Sequence, residues 1–239
     1  MPLPTVSTAL SRNRIPVVGI AGGIGSGKSA VARWVAERAN VHVIDADRLG
    51  HDALMSADVK TNLRREFGDA IFGEQGEIRR GLLAQQVFGD CEEHRAARRK
   101  LEQIVHPEIG RRIAEDLERA KRAGTDAVLL DAAVLFETGW QDQCDAVVFI
   151  DTPDELRLKR VQQRSGWTAE ELHRREASQW SLSEKRLRCD AAVSNDGDVA
   201  IAGEQLLNFL REHWIIGCKP SLNSSQHLTE TFEICPPCL

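Results

Sequence analysis

The segment from Gly22 to Ser29 constrains this chain more than any other feature, because four of its eight residues are glycine and it ends in Lys-Ser. A short apolar run, Ile15 to Ala21, precedes it, and the residues from Lys28 to Ala39 carry apolar side chains at helical spacing. The pattern predicts a strand, a tight loop and a helix. Glycines let successive N–H groups turn inward around an anion, and the helix N-terminus adds its dipole. We therefore predict a phosphate-binding loop.

The order of residues in this loop, G-x-x-x-x-G-K-S, is the P-loop pattern, and the flanking strand and helix are the context that this pattern requires. We expect Lys28 to reach the β- and γ-phosphates of a nucleoside triphosphate and Ser29 to place its hydroxyl on Mg²⁺. A guanine-specific protein would add Asn-Lys-x-Asp, but no Asn in this sequence is followed by Lys. The predicted nucleotide-binding residues are Gly22, Gly23, Gly25, Ser26, Gly27, Lys28, Ser29 and Ala30.

Further short apolar runs predict the other strands of an α/β fold. Val41 to Asp45, Ala127 to Asp131 and Ala146 to Asp151 are continuous apolar runs that end in an acid, which is typical of strands buried on both faces of a parallel sheet. Asp190 to Ser194 is a weaker candidate. Together with the run before the loop, these segments predict a central parallel sheet of five strands.

Two long segments of helical character interrupt the strands. The first, residues 47–124, is too long for one crossover helix, so it predicts a helical subdomain at the carboxyl edge of the sheet. The second, residues 152–188, opens with Thr152-Pro-Asp-Glu, which indicates a capping box with Pro at the first helical position. We expect one domain over 15–214 and loosely ordered tails over 1–14 and 215–239. The predicted core segments are 15–46, 125–151 and 189–214.

Acidic residues follow the predicted strands, at the edge of a parallel sheet where ligands bind. Asp45 and Asp47 come at the end of the second strand, where alternation along an extended segment would place both on the same side. One of them could accept a hydroxyl proton during phosphoryl transfer, or could simply cap the next helix. Asp131 ends the third strand, at the position where such proteins hold Mg²⁺ directly or through water.

A group of basic residues lies near the start of the second helical segment. Arg157, Arg160 and Arg164 are spaced by three and four residues, so they share one face of a helix. Such a face could be a lid that stabilises a transferring phosphoryl group. It could equally be a solvated surface paired with the nearby acids Asp154 and Glu155.

The overall charge excludes some partners. The 31 basic and 36 acidic residues give a formal net charge of −5, without the broad basic field of a general nucleic-acid binder, so we expect no nucleic-acid partner. No apolar run approaches the roughly 18 residues of a membrane span, so we expect a cytoplasmic protein without a membrane partner. The six cysteines, including Cys235 and Cys238, predict incidental thiols.

Short motifs follow one another in a fixed order between Val17 and Gly197. They are GGIGSGKS from Gly22, VIDAD from Val43, GEIRRGLL from Gly76, IVHPEI from Ile104, LFE from Leu135, R-x-x-x-Q from Arg175, Glu184-Lys185 and Asn195-x-Gly197. In this order the motifs resemble the dephospho-CoA kinase family. The resemblance implies a three-layer P-loop kinase fold: a central five-stranded parallel sheet, an inserted helical domain for the coenzyme A precursor and a helical lid.

The resemblance also implies an activity and residue roles. The family reaction transfers the γ-phosphate of ATP to the ribose 3′-hydroxyl of dephospho-CoA, the last step of coenzyme A synthesis, so the implied co-substrate and cofactor are ATP and Mg²⁺. Asp47 matches the family aspartate proposed as general base, and Arg164 matches the lid arginine. Arg80 and His106 fall in substrate-domain motifs, and Asn195 falls in the last motif and is placed among the nucleotide-binding residues. One departure is Ala133, where the family has proline.

Two other classes of function remain open at this point. A nucleoside or nucleotide kinase would share the core and the lid, and a regulator could use the same loop to sense a nucleotide without transferring phosphate. The sequence does not determine the oligomeric state, and a monomer is our expectation.

Overall fold

The computed structural model describes residues 14–87, 89 and 91–217, and within them the strands form one five-stranded parallel sheet with the order β2-β3-β1-β4-β5. The central strand β1 pairs with β3 on one side and β4 on the other, so that Gly19 lies between Leu130 and Val147. The predicted α/β class and parallel sheet are confirmed. The strands are β1 (Val17–Gly22), β2 (Val41–Asp45), β3 (Ala127–Asp131), β4 (Ala146–Asp151) and β5 (Ala191–Ser194).

One face of the sheet is covered by helices α1 (Lys28–Arg38) and α9 (Val199–His213). Apolar side chains of both helices are fully buried against the sheet, and each contributes about 1.5–3 kcal/mol relative to exposure. The two helices approach closely at Gly203, where a Cβ would lie 2.2 Å from a ring carbon of Trp34. Only glycine fits there without displacing the indole.

The opposite face is covered by the first helical segment. Ile109 and Ile113 of its longest helix pack with Leu63 and Ile44, forming one apolar cluster with the sheet. Pro107 lies inside that helix, which continues through it. The helices are α2 (Ala46–Ala53), α3 (Ala57–Phe67), α4 (Arg80–Val87) and α5 (Glu92–Arg122), with a 3₁₀ turn at Asp69–Ile71.

The second helical segment contains α6 (Asp154–Ser165), α7 (Ala169–Glu176) and α8 (Leu182–Leu187). The predicted capping box at Thr152 is wrong: Pro153 is the N-cap of α6, and no described side chain caps this helix. The Thr152 hydroxyl instead donates hydrogen bonds to two backbone carbonyls of the neighbouring loops, so it is not available to the helix. A complete capping box is found at Ser181, in front of α8.

The predicted tails lie mostly outside the described residues, as does the pair Cys235 and Cys238. Residues 215–217, which we expected to be loose, are attached to the core through Gly217. Its N–H donates to Asp126 at 2.8 Å, and its carbonyl accepts from the N–H of Asn40 at 3.1 Å. In the part of the chain that the structure describes, no helix has the length and apolar character needed to cross a membrane.

Candidate active site

The glycine-rich loop connects the carboxyl end of β1 to the start of α1. Gly25 and Gly27 have φ values of +79° and +87°, which favour glycine. A Cβ at Gly25 would lie 2.7 Å from the carbonyl oxygen of Arg157, and one at Gly27 would lie 2.6 Å from the side-chain nitrogen of Asn195. The loop therefore requires glycine at both positions, for its conformation and for the space beneath it.

The carbonyl of Ser26 is the point at which other segments hold this loop. It accepts hydrogen bonds from Thr152 Oγ1 at 3.0 Å, Asn195 Nδ2 at 2.6 Å and Arg160 Nη1 at 3.1 Å. Asn195 is 3 % exposed, and its Oδ1 is buried without a hydrogen-bond partner among the described residues. The structure thus places Asn195 behind the loop, where it supports the phosphate-binding backbone.

Lys28 lies at the first position of α1 and folds back over the loop, where its Nζ donates to the carbonyls of Gly22 at 3.2 Å and Gly23 at 3.3 Å. Burial lowers the pKa of its ammonium group, and the negative charges of Asp131 and Asp47 partly oppose that shift. The structure therefore brings a lysine and the two predicted carboxylates together at the carboxyl edge of the sheet.

Asp45 and Asp47 are separated by the change from strand to helix, so the predicted extended arrangement is wrong. Asp45 is the N-cap of α2 and accepts from the N–H of Arg48 at 2.9 Å. Asp47 lies in the first turn of α2. The residue is exposed, but protein atoms crowd its carboxyl, and this desolvation raises the pKa of the carboxyl. Lys28 and the N–H of Ala133, whose nitrogen lies 3.5 Å from Asp47 Oδ1, oppose the shift. The proline expected at position 133 could not donate that bond.

Asp131 and Ser29 are the residues that could hold a metal ion. Asp131 is 5 % exposed at the end of β3. Burial raises the pKa of the Asp131 carboxyl, and Lys28 and the Ser29 hydroxyl beside it oppose that shift because they favour the ionised form. Among residues 14–87, 89 and 91–217, no group of three or more His, Cys, Asp or Glu could hold a metal. The two oxygen ligands fit Mg²⁺, which usually takes its remaining ligands from phosphate and water.

The basic residues of α6 are arranged differently from the sequence prediction of one shared lid face. Arg157 is 3 % exposed and donates to the carbonyl of Ile24 at 3.2 Å, while its guanidinium also pairs with Asp154 and Glu176. Arg160 holds the Ser26 carbonyl as described above. Arg164, the predicted lid residue, is exposed and bonds only Ser165 among its described side-chain partners, so the structure does not bring it to the loop.

Arg80 and His106 lie in the helical layer, apart from the loop. Arg80 is the exposed first residue of α4. His106 is half-buried in α5, with its ring centroid 6.1 Å from that of Trp140. Burial lowers the pKa of His106, so the neutral form of the imidazole is favoured, and Glu102 opposes this. Both α2 and α4 pack on α5, which connects these residues to the helix carrying Asp47.

Some functional contacts were missed from the sequence alone. Thr152 was interpreted as a helix cap, and Lys185 was noted only as a motif residue. Their contacts are with segments far away in the chain, for which local spacing carries no signal. The motif that contains Asn195 identified this residue, but it did not predict that Asn195 lies behind the loop.

A P-loop on the central strand of a parallel sheet, with carboxylates facing its lysine, defines a P-loop nucleotide-binding protein. The family model for dephospho-CoA kinase matches residues 16–200, and the chain belongs to that family. It is 36 % identical over 196 residues to a dephospho-CoA kinase of Geobacillus kaustophilus, covering 82 % of this chain and 95 % of the relative. A relative of the same name from Corynebacterium diphtheriae is 35 % identical over 201 residues, covering 83 % and 95 %.

A solved structure from Thermus thermophilus superimposes with a TM-score of 0.71 at 33 % identity, and it covers 83 % of this chain and 98 % of the other. The comparisons confirm the predicted family, fold class and kinase chemistry. The residue roles and the division into core, substrate subdomain and lid stay predictions.

Proposed function

We propose that this chain transfers the γ-phosphate of ATP to the ribose 3′-hydroxyl of dephospho-CoA, giving coenzyme A and ADP. The single observation that carries the proposal is the position of Asp47, an accessible carboxyl with a raised pKa that faces Lys28 at the carboxyl edge of the sheet. Family membership identifies the acceptor. The nucleoside-kinase and regulator alternatives have no observation of their own in their favour.

In the proposed mechanism, the loop backbone binds the phosphates and Lys28 stabilises charge on the transferring phosphoryl group. The Asp47 carboxylate accepts the proton of the 3′-hydroxyl while the oxygen of that hydroxyl forms a bond to the γ-phosphorus. The bond from that phosphorus to the bridging oxygen breaks, and ADP leaves with the electron pair. Mg²⁺, when held by Ser29 and Asp131, would neutralise charge on the β- and γ-phosphates.

The remaining roles belong to the same proposal. Arg164 would supply a positive charge from the lid, and Arg80 and His106 would contact the acceptor on the helical side. We also propose a cytoplasmic monomer with no nucleic-acid or membrane partner, and size-exclusion chromatography with light scattering checks the oligomeric state.

The test is an ADP-release assay with ATP, Mg²⁺ and dephospho-CoA, in which mass spectrometry checks that coenzyme A appears. We expect ADP release to require the acceptor. ATP turnover that ignores dephospho-CoA would refute the assignment. Turnover with nucleosides or nucleoside monophosphates instead would favour the nucleotide-kinase alternative, and tight ATP binding without turnover on any acceptor would favour a sensor.

A further inference from the structure

Lys185, in α8, is a charged side chain in the interior, with 1 % of its surface exposed. Its ammonium group pairs with Glu137 Oε1 at 2.9 Å and donates to Gln179 Oε1 at 3.0 Å and to the carbonyl of Ala133 at 3.2 Å. Three acceptors therefore satisfy all three donors of the lysine. Neither the proposed phosphate contacts nor the proposed proton transfer uses this group.

The contacts of Lys185 join the second helical segment to residues 132–137, which we call the post-β3 loop. Glu137 also belongs to this connection, since its Oε1 accepts from the N–H of Trp180 at 2.8 Å. Ala133 is held from both sides: its carbonyl accepts from Lys185, and its N–H faces Asp47 Oδ1 with 3.5 Å between the heavy atoms. The post-β3 loop begins directly after Asp131, the last residue of β3.

We infer that Lys185 is a positioning residue for phosphoryl transfer: by fixing Ala133, it holds the N–H that orients the Asp47 carboxylate. This inference rests on the proposed function. A buried ion pair is weak support for folding stability, because apolar residues of similar volume often serve as well or better. What apolar residues cannot supply is a donor aimed at the Ala133 carbonyl. Positioning therefore accounts for the lysine where stability alone does not.

A double-mutant cycle tests whether Lys185 acts through Asp47. Wild type, Lys185→Met, Asp47→Asn and the double variant are compared for kcat and for the KM of each substrate. We expect Lys185→Met to lower kcat about tenfold or more, since small displacements of catalytic groups cost that much, with the KM for ATP within about threefold. In the Asp47→Asn background the same change should alter kcat by less than about twofold.

Two results would overturn the inference. One is a folded Lys185→Met variant with the kcat of wild type. The other is the same fold loss of kcat in both backgrounds, which would mean that Lys185 acts independently of Asp47. The wild-type assay separates the two proposals. If the wild-type protein does not turn over dephospho-CoA, the proposed function is wrong. If it does, the variants test the role of Lys185 alone.

Lys185→Met alone removes the ion-pair partner of Glu137, and this loss could destabilise the protein. A double variant in which both side chains are neutral keeps the test decisive in that case. Lys185→Met combined with Glu137→Gln removes both charges and retains an acceptor for the Trp180 N–H. We expect this pair to fold, judged by its melting temperature and its ATP affinity, and still to show the lowered kcat. Recovery of the wild-type kcat would reduce the role of Lys185 to charge balance and overturn the inference.

Lys159→Met is the matched control. Lys159 is an exposed lysine in α6, within the same helical segment, so the same substitution removes a surface charge only. We expect its kcat and both KM values to stay within about twofold of wild type, in line with other exposed substitutions. An equal loss in this control would show that any lysine of the segment affects the rate, and the inference would fail.

Discussion

Two aspartates that are two residues apart have different contacts because the chain changes from strand to helix between them. Asp45 ends β2 and satisfies a free N–H at the start of α2, whereas Asp47 projects from the first turn toward Lys28. Of the two hypotheses offered by the sequence, the structure places the helix cap at Asp45, and the functional acid at Asp47 stays a proposal. This division gives a matched pair for mutagenesis.

Asp47→Asn should bind ATP like wild type but lower turnover by roughly 100-fold or more, because a general base typically contributes that much. Asp45→Asn is the control, since asparagine caps a helix about as well as aspartate. We expect the control to retain turnover within about threefold. The measurement is steady-state kinetics with calorimetric ATP binding, and equal turnover in Asp47→Asn and wild type would remove Asp47 from the mechanism.

The same pair predicts a pH effect. Desolvation raises the pKa of Asp47, and the negative charge of Asp45 raises it further, while Lys28 and the Ala133 N–H oppose both. Only the ionised carboxylate accepts a proton, so kcat/KM for dephospho-CoA should fall as pH drops through a pKa above the ordinary aspartate value. In Asp45→Asn this acidic limb should move to lower pH. An unmoved or raised limb would contradict the electrostatic account.

At the scale of elements, α5 and the residues after it contain two glycines that should affect the free energy of unfolding in opposite directions. The helix contains Gly110 in its interior, and Gly124 follows its end with a φ of +68°. Among the described residues, and leaving aside the adjoining backbone, a Cβ at either position would meet no atom within 4 Å. Space is therefore equal at the two sites, and only the backbone conformation differs.

Gly110→Ala should raise the free energy of unfolding by about 0.5–1 kcal/mol, because alanine loses less backbone entropy in a helix. Gly124→Ala should lower it by about 1–2 kcal/mol, because a side chain disfavours the left-handed conformation. Thermal denaturation checks both, with expected shifts of about 2–4 °C per kcal/mol in opposite directions. Shifts of the same sign would refute this interpretation.

The elements were largely predictable from the sequence, because each depends on local patterns. Apolar runs indicated four of the five strands clearly, and β5 was a weaker candidate. The glycine-rich pattern indicated the loop, in which Gly25 and Gly27 have positive φ values. What the sequence did not indicate are contacts between distant segments. Thr152 bonds the Ser26 carbonyl, 126 residues away, and Arg157 is buried against the loop instead of lining an open lid. Spacing along a helix shows which residues share a face, but it does not show which part of the protein that face packs against.

At the scale of the whole molecule, the phosphate-binding loop is supported by segments that lie far from it in the sequence. Arg157 and Arg160 of α6 and Asn195 after β5 all contact its backbone. A ligand that fills the loop therefore stabilises the association of segments that are far apart in sequence. Binding should be visible in global stability and not only at the site.

ATP at about 100 times its dissociation constant should add about 2.7 kcal/mol to stability, which corresponds to a rise of roughly 5–10 °C in melting temperature. Differential scanning fluorimetry measures it. EDTA should reduce the rise if Ser29 and Asp131 hold Mg²⁺, and Asp47→Asn should leave it unchanged, because Asp47 acts on the acceptor. A rise that EDTA does not alter would count against the proposed metal site.

The strand order has a consequence for how the chain is made. The loop-bearing strand β1 is separated from β2 by β3, and its two neighbours, β3 and β4, span residues 127–151. During synthesis β1 leaves the ribosome long before its partner strands, so β1 stays unpaired until residues 127–151 have emerged. Such distant pairings slow folding and expose apolar strands in the meantime. The phosphate-binding loop is translated before the strands that flank β1, so it can take its working shape only after those strands have emerged.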